Sequence, residues 1–142
     1  MEEKSNFDIN FASEYPANIL IAEDNLINQM VIQKILKLLG FHPTLAINGL
    51  IAIEKIQKVV YDIILMDVQM PEMDGIEATK QIRQLPIKQP VIIAMTANAM
   101  QGDREDCLNA GMDDYISKPI VMDDLHKKLK KWAGNKVQVL EQ

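Results

Sequence analysis

The chain has 142 residues, of which 48% are apolar and 25% are charged, and its formal net charge is −5. This length fits one domain that buries roughly two thirds of its unfolded surface, and the composition is that of a globular protein rather than a disordered chain. The negative charge argues against nonspecific nucleic-acid binding, and without a signal peptide or an apolar run of roughly 18 residues we expect a soluble, cytoplasmic protein with no membrane contact.

Turn residues and helix caps place the first elements of the chain. Residues 1–17 are mixed polar and lack a clean periodicity, which predicts a leader or linker before a first strand at about 18–22. Asn25 can cap a helix that ends before Gly40, a residue suited to a left-handed turn. The apolar positions of this helix follow the three-and-four spacing and are Ile27, Met30, Val31, Ile35 and Leu38.

Short apolar runs alternate with helical patterns along the rest of the chain. Further strands are predicted at about 44–46, 63–66, 91–95 and 114–116. Helices are predicted after Asn48, at about 76–83, at about 99–109, and finally with Met122, Leu125, Leu129 and Trp132 on one side. Five strands that alternate with five helices predict βαβ units and a parallel sheet in a domain of residues 18–133, followed by a C-terminal tail at 134–142.

Polar residues that can carry out phosphate or metal chemistry follow four of these strands. Glu23 and Asp24 follow the first strand, Asp67 the third, Thr96 the fourth and Lys118 the fifth. Open α/β sheets bind ligands just beyond the carboxyl ends of their strands, so these side chains are expected to converge on one edge.

The charges of this group indicate a divalent cation. A carboxylate can attack a phosphorus centre only if the negative charges are screened, since two unit charges about 4 Å apart repel by roughly 4 kcal/mol at an effective dielectric near 20. Glu23, Asp24 and Asp67 offer the hard oxygen ligands that magnesium accepts. We therefore expect Mg²⁺ or Mn²⁺ at this edge.

The motifs at the strand ends resemble those of one family, the receiver domains of two-component response regulators and hybrid sensor histidine kinases. They are Glu23-Asp24, Asp67, Met70-Pro71, Asp74-Gly75, Thr96-Ala97 and Lys118-Pro119. The resemblance covers about residues 18–133 and implies a flavodoxin-like (βα)5 fold with strand order 2-1-3-4-5. It also implies that a phosphoryl group passes from a phosphohistidine to the side chain at position 67, and that the domain catalyses its own phosphorylation and dephosphorylation.

The resemblance further implies roles for individual residues. Asp67 would be the phosphoacceptor, and the metal ligands would be Glu23, Asp24, Asp67 and the backbone carbonyl of Gln69. Phosphoryl oxygens would be bound by Lys118, the Thr96 hydroxyl and the Ala97 amide. Thr96 and Tyr115 would move together as a switch. Lys118-Pro119 matches a peptide bond that is cis in the family, and Gln69 and Asn98 would flank the site and tune dephosphorylation.

The implied partner is a histidine kinase phosphoacceptor domain or a histidine phosphotransfer protein. Asn28-Gln29 after the first acidic pair look most like receivers attached to hybrid sensor kinases, so a part of such a kinase is favoured over a stand-alone single-domain regulator. A pseudo-receiver that acts only as a binding module is a further alternative. A haloacid-dehalogenase-type phosphatase would need a second Asp where Gln69 stands, and a nucleotide-binding turn would need glycine within residues 23–26.

Overall fold

The protein folds around one parallel five-stranded sheet with the order β2-β1-β3-β4-β5, which confirms the predicted fold class and strand order. The computed structural model describes residues 10–97 and 101–141, and their side chains except those of 101–102 and 134–141. The strands are β1 (Ile19–Ala22), β2 (Thr44–Ala46), β3 (Ile63–Asp67), β4 (Val91–Thr96) and β5 (Asp114–Ser117). Strand β3 is buried along its whole length, as expected of a central strand covered on both faces.

Helices precede and connect the strands, and side chains cap the first turns of several of them. They are α1 (Phe11–Glu14), α2 (Leu26–Leu38), α3 (Gly49–Lys58), α4 (Gly75–Ile82), α5 (Gln101–Ala110) and α6 (Met122–Glu141). Asn25, Asn48 and Asp74 precede α2, α3 and α4, and each side chain accepts a hydrogen bond from the backbone N–H three residues on. None of the helices in the described part of the chain is both long and apolar enough to cross a membrane.

Alternate residues of the strands point to two apolar cores, one on each face of the sheet. Ile21, Leu65 and Ile93 pack with the side chains of α1, α2 and α6. Leu20, Ile64 and Ile92 are the neighbours of these residues, and they pack with α3, α4 and α5 on the opposite face. The layers therefore leave the carboxyl edge of the sheet uncovered by helices.

Of the apolar residues expected along α2, only Ile35 lies on its buried face. Ile27 is 70% exposed and Met30 is 60% exposed, and Val31 and Leu38 are also exposed, whereas Ile35 is buried. The face that contacts the sheet is instead formed by Gln29, Ile32, Ile35, Leu36 and Leu39. Apolar residues surround most of this helix, so two overlapping sets satisfy the three-and-four spacing and the sequence pattern alone cannot choose between them.

Two terminal segments contain more regular structure than the sequence predicted. The predicted leader contains α1, whose Phe11 is 4% exposed and lies 4.8 Å from the ring of Tyr15, measured between ring centroids. Helix α6 continues to Glu141, through the range for which a tail was predicted. The predicted helix at 99–109 corresponds to α5, and both its first two predicted residues and Asn98 lie outside the described residues.

Candidate functional site

The carboxyl ends of β1, β3, β4 and β5 surround one cleft with a volume of about 370 Å³. Parallel pairing aligns these ends, since Ala22 pairs with Met66, Asp67 with Met95, and Thr96 with Ser117. The cleft is lined by polar side chains and loop backbone from all four strand ends, together with Asp103 of α5: Glu23, Asp24, Asn25, Asn28, Asp67, Val68, Gln69, Thr96, Ala97, Asp103 and Lys118. The sequence-predicted acidic, hydroxyl and lysine residues are thus brought together.

Lys118 joins two buried carboxylates at the base of the cleft. Its ammonium nitrogen lies 3.0 Å from Asp67 Oδ1 and 3.2 Å from Glu23 Oε1. Glu23 is fully buried and Asp67 is 3% exposed. Because isolated charges are costly to remove from water, the single ammonium offsets part of the negative charge of the two carboxylates.

Burial controls the ionisation of Asp67. Loss of water contact and the charge of Glu23 raise the pKa of Asp67 to about 6, against the hydrogen bond from Lys118, which lowers it. Burial would by itself lower the pKa of Lys118, but its hydrogen bond and attraction to Asp67, with the charge of Glu23, raise that pKa overall. At neutral pH the cleft therefore combines an ionised Asp67 with a protonated Lys118.

The acidic residues fit a divalent metal ion. One carboxylate oxygen from each of Glu23, Asp24 and Asp67 lies within 4.8 Å of the others. Oxygens around an octahedral magnesium ion lie about 3–4 Å apart, so a small inward movement would bring the three to bonding distance. Glu23 Oε1 is buried and accepts no well-formed hydrogen bond within the described parts of the chain, which leaves a lone pair available. The cluster could hold a divalent metal ion.

Backbone bonds to β4 fix the residues that follow β3 and β5. The Val68 N–H donates to Met95 O at 3.0 Å, and the Lys118 N–H donates to Thr96 O at 2.8 Å. Gln69 N–H also donates to Asp67 Oδ1 at 3.3 Å. These bonds hold Asp67, Thr96 and Lys118 in register across the sheet edge. The Lys118–Pro119 bond is cis.

Tyr115 lies outside this cleft, on the surface between β5 and α6. Its half-buried ring lies beneath two cations, with the Arg104 guanidinium carbon 4.9 Å and the Lys128 ammonium 5.2 Å from the ring centroid. Thr96 lines the cleft, whereas Tyr115 lines a separate surface pocket with Lys127 and Lys128.

Four residues that line the cleft were not identified as site residues from the sequence: Asn25, Asn28, Val68 and Asp103. Asn28 lies one turn into α2, and its side-chain amide approaches Glu23 Oε2 at 3.4 Å. Asp103 lies in the first turn of α5 and brings a fourth carboxylate to the rim. The positions of Asn28 and Asp103 in first helical turns next to strand ends were the available signal, because such turns border the carboxyl edge of the sheet.

Comparisons with known proteins identify one family. Residues 19–130 match the response regulator receiver domain. The chain is 42% identical over 133 residues to Histidine protein kinase 1 of Candida albicans, an alignment that covers 86% of this chain but 5% of the kinase. The chain thus spans only a small part of that curated relative.

Two solved structures are similar along most of the chain. The receiver domain of a sensor histidine kinase from Pseudomonas aeruginosa PAO1, with a magnesium ion coordinated in its active site cleft, is 45% identical with a TM-score of 0.77, over 83% of this chain and 98% of that one. The receiver domain of Saccharomyces cerevisiae Ssk1, in complex with the histidine phosphotransfer protein Ypd1, is 34% identical with a TM-score of 0.78, over 84% and 90%.

Proposed function

This chain belongs to the response regulator receiver domain family, and from that premise we propose that it accepts a phosphoryl group on Asp67 from a phosphohistidine in a two-component phosphorelay. The observation that carries the proposal is the buried Asp67 carboxylate, 3.0 Å from the Lys118 ammonium and grouped with Glu23 and Asp24. The similarity to a small part of a much longer histidine kinase supports a place within a hybrid sensor histidine kinase, with a stand-alone regulator as the alternative.

The proposed reaction is a displacement at phosphorus. An Asp67 carboxylate oxygen forms the new P–O bond while the P–N bond to the donor histidine breaks. The electron pair of that bond returns to the imidazole nitrogen, which leaves as neutral imidazole after it takes a proton. Little covalent chemistry is required of the protein, so its residues act by position and charge.

The cleft divides these tasks among its side chains. Lys118 binds a phosphoryl oxygen as a compact point charge, and the Thr96 hydroxyl and Ala97 amide donate to the others. Glu23, Asp24, Asp67 and the Gln69 carbonyl hold Mg²⁺ or Mn²⁺. When bound, the cation neutralises the charge of the carboxylates and of the phosphoryl group. The short side chain of Ala97, exposed at the rim, leaves room for the donor to approach.

The response to phosphorylation is proposed to pass from Thr96 to Tyr115. Movement of the Thr96 hydroxyl toward the phosphoryl group makes space behind it, into which the Tyr115 ring turns. That rotation would withdraw the ring from the Arg104 and Lys128 cations that lie over it. The surface formed by α5, β5 and α6 would change as a result.

An exposed apolar face on α2 supports a helical partner such as a histidine phosphotransfer protein or a kinase phosphoacceptor domain. Leu26 is 68% exposed, Ile27 70% and Met30 60%. The helix begins two residues after Asp24, so this apolar face borders the acidic cleft. A partner that packs on α2 could therefore place its phosphohistidine over Asp67.

Replacement of the acceptor tests the proposed function directly. We expect Asp67→Asn to abolish labelling by acetyl phosphate in magnesium, since an amide is a poor nucleophile, while circular dichroism stays that of the wild type. Asp106→Asn, an exposed change on α5, is the control and should label normally. Labelling is read by intact-protein mass spectrometry. A wild-type chain that takes no label would instead favour the pseudo-receiver.

The α2 face is tested by comparing transfer from a donor protein with labelling by a small phosphodonor. We expect the double variant Ile27→Ala, Met30→Ala to slow transfer from a phosphorylated histidine phosphotransfer domain by about tenfold, because the loss of apolar contacts weakens docking of the donor. Labelling by acetyl phosphate should be unchanged. Val59→Ala is the control, because Val59 is 48% exposed at the far end of α3. Equal transfer rates for both variants would reject α2 as the docking face.

A further inference from the structure

A buried glutamine lies on the sheet-facing side of α2, where an apolar side chain would be expected. Gln29 is 6% exposed, and its side-chain amide donates a buried hydrogen bond of 2.8 Å to the backbone carbonyl of Glu23. Burial of an amide is unfavourable unless it is hydrogen-bonded, so this bond explains how the side chain is accommodated. It ties α2 to the residue that begins the acidic pair.

Hydrogen bonds also hold the carboxylate of Glu23, and its two oxygens have different partners. Oε2 accepts from the Asn25 N–H at 3.0 Å and from the Asn28 side-chain amide at 3.4 Å. Oε1 is buried at the base of the cleft, 3.2 Å from the Lys118 ammonium, and Glu23 is one of the three residues of the acidic cluster. Hydrogen bonds on one oxygen therefore orient the other toward the place where a cation would lie.

We infer that Asn28 and Gln29 are positioning residues for the metal site, which fix Glu23 so that Oε1 is presented to a divalent cation. Gln29 fixes the backbone of Glu23 and Asn28 fixes its carboxylate. Neither residue would touch the ion. Groups that orient a metal ligand commonly change metal affinity by 10–100-fold when removed. The inference rests on the proposed function, because it requires that the cleft binds a divalent cation.

The experiment measures Mn²⁺ and Mg²⁺ binding to the full chain by isothermal titration calorimetry. We expect Asn28→Ala and Gln29→Met each to weaken binding by about tenfold. Asn109→Ala is the matched control, since it makes the same change as Asn28→Ala at an exposed position on α5. Thermal unfolding in a chelator shows whether a variant is folded. If Gln29→Met unfolds, Asn28→Ala carries the test, because Asn28 is only partly buried.

A second measurement distinguishes orientation of the ligand from a general structural role. The rate of labelling by acetyl phosphate in Asn28→Ala should be reduced at low magnesium and should return to the wild-type rate when magnesium saturates the site. If Asn28 only supported the fold, Asn28→Ala would lower the unfolding temperature in chelator, and magnesium would not restore its labelling rate.

The outcomes separate this inference from the proposed function. Wild-type chain that binds neither ion would overturn both. Wild-type binding together with unchanged affinity in Asn28→Ala and Gln29→Met, relative to Asn109→Ala, would overturn only the role of these two residues. A labelling rate in Asn28→Ala that stays below the wild-type rate at saturating magnesium would also overturn it.

Discussion

The backbone at Gly75 lies closer to strand β3 than any side chain at this position would allow. A Cβ atom at this position would lie 2.2 Å from the Asp67 carbonyl oxygen and 2.9 Å from Met66 Cγ. The Gly75 N–H also donates to Val68 O at 2.8 Å. The start of α4 is thereby held against the residue proposed to accept phosphate, and the contact is made by backbone atoms that cannot move independently.

We expect Gly75→Ala to lower the free energy of unfolding by about 2 kcal/mol, since overpacking of this kind forces the backbone to shift. The shift would displace Asp67 and slow its labelling by acetyl phosphate. Urea denaturation and mass spectrometry measure the two effects. Gly49→Ala is the comparison, because its Cβ would meet Met73 O at 2.7 Å rather than an atom of Asp67. Wild-type stability in Gly75→Ala would contradict the argument.

At the scale of elements, α1 is a short helix that contributes to the core shared with α2 and α6. Phe11 lies 6.1 Å from Phe41 and 4.5 Å from His126 between ring centroids, so its ring joins the loop after α2 to α6. The Ala12 N–H donates to Leu39 O at 3.0 Å. A helix of four residues has no amphipathic repeat to detect, so it is stabilised by tertiary packing that the sequence pattern does not reveal.

Removal of the Phe11 ring should therefore destabilise the whole domain. We expect Phe11→Ala to lower the free energy of unfolding by about 3 kcal/mol, as for other large-to-small changes in a core. Ser13→Ala, an exposed change in the same helix, should have little effect. Urea denaturation gives both values. Equal stability of the two variants would mean that α1 does not contribute to the core.

The elements also show what could be predicted from sequence. Strands β1, β3 and β4 were identifiable because each contains a compact apolar run, and the cleft because parallel strands align the polar residues at their carboxyl ends. The buried face of α2 was not identifiable, since Gln29 occupies a core position while Ile27 and Met30 are exposed. The contact of Asn28 with Glu23 depends on side-chain direction, which the spacing of residues does not specify.

For the whole molecule, Asp114 connects the last strand to the last helix. Its buried carboxylate accepts from the Trp132 indole N–H and from the Lys128 ammonium, each at 2.9 Å, and Lys131 lies 3.7 Å away. Burial by itself would raise the pKa of Asp114, but these two bonds and one from the Tyr115 N–H outweigh it and lower the pKa. Lys128 and Lys131 of α6 are therefore paired within the protein.

This lowered pKa predicts how stability depends on pH. A group whose pKa is lower in the folded state contributes stability above its ordinary value of 3.8, and the contribution is lost as the pH falls through the folded pKa. We expect Asp114→Asn to be less stable than wild type by about 2 kcal/mol at pH 7, because buried donors lose their partner. The difference should shrink below about pH 4. Urea denaturation from pH 7 to 3 measures it, with Asp106→Asn as control. A difference independent of pH would contradict the assignment.

The bond between Trp132 and Asp114 also gives the protein an intrinsic optical probe. The chain has one tryptophan, so its fluorescence arises from a single known position. That indole is hydrogen-bonded to Asp114, the residue before Tyr115, and does not line the acidic cleft. Its emission should consequently follow docking of α6 on β5 without any label, and should respond little to ions that enter the cleft.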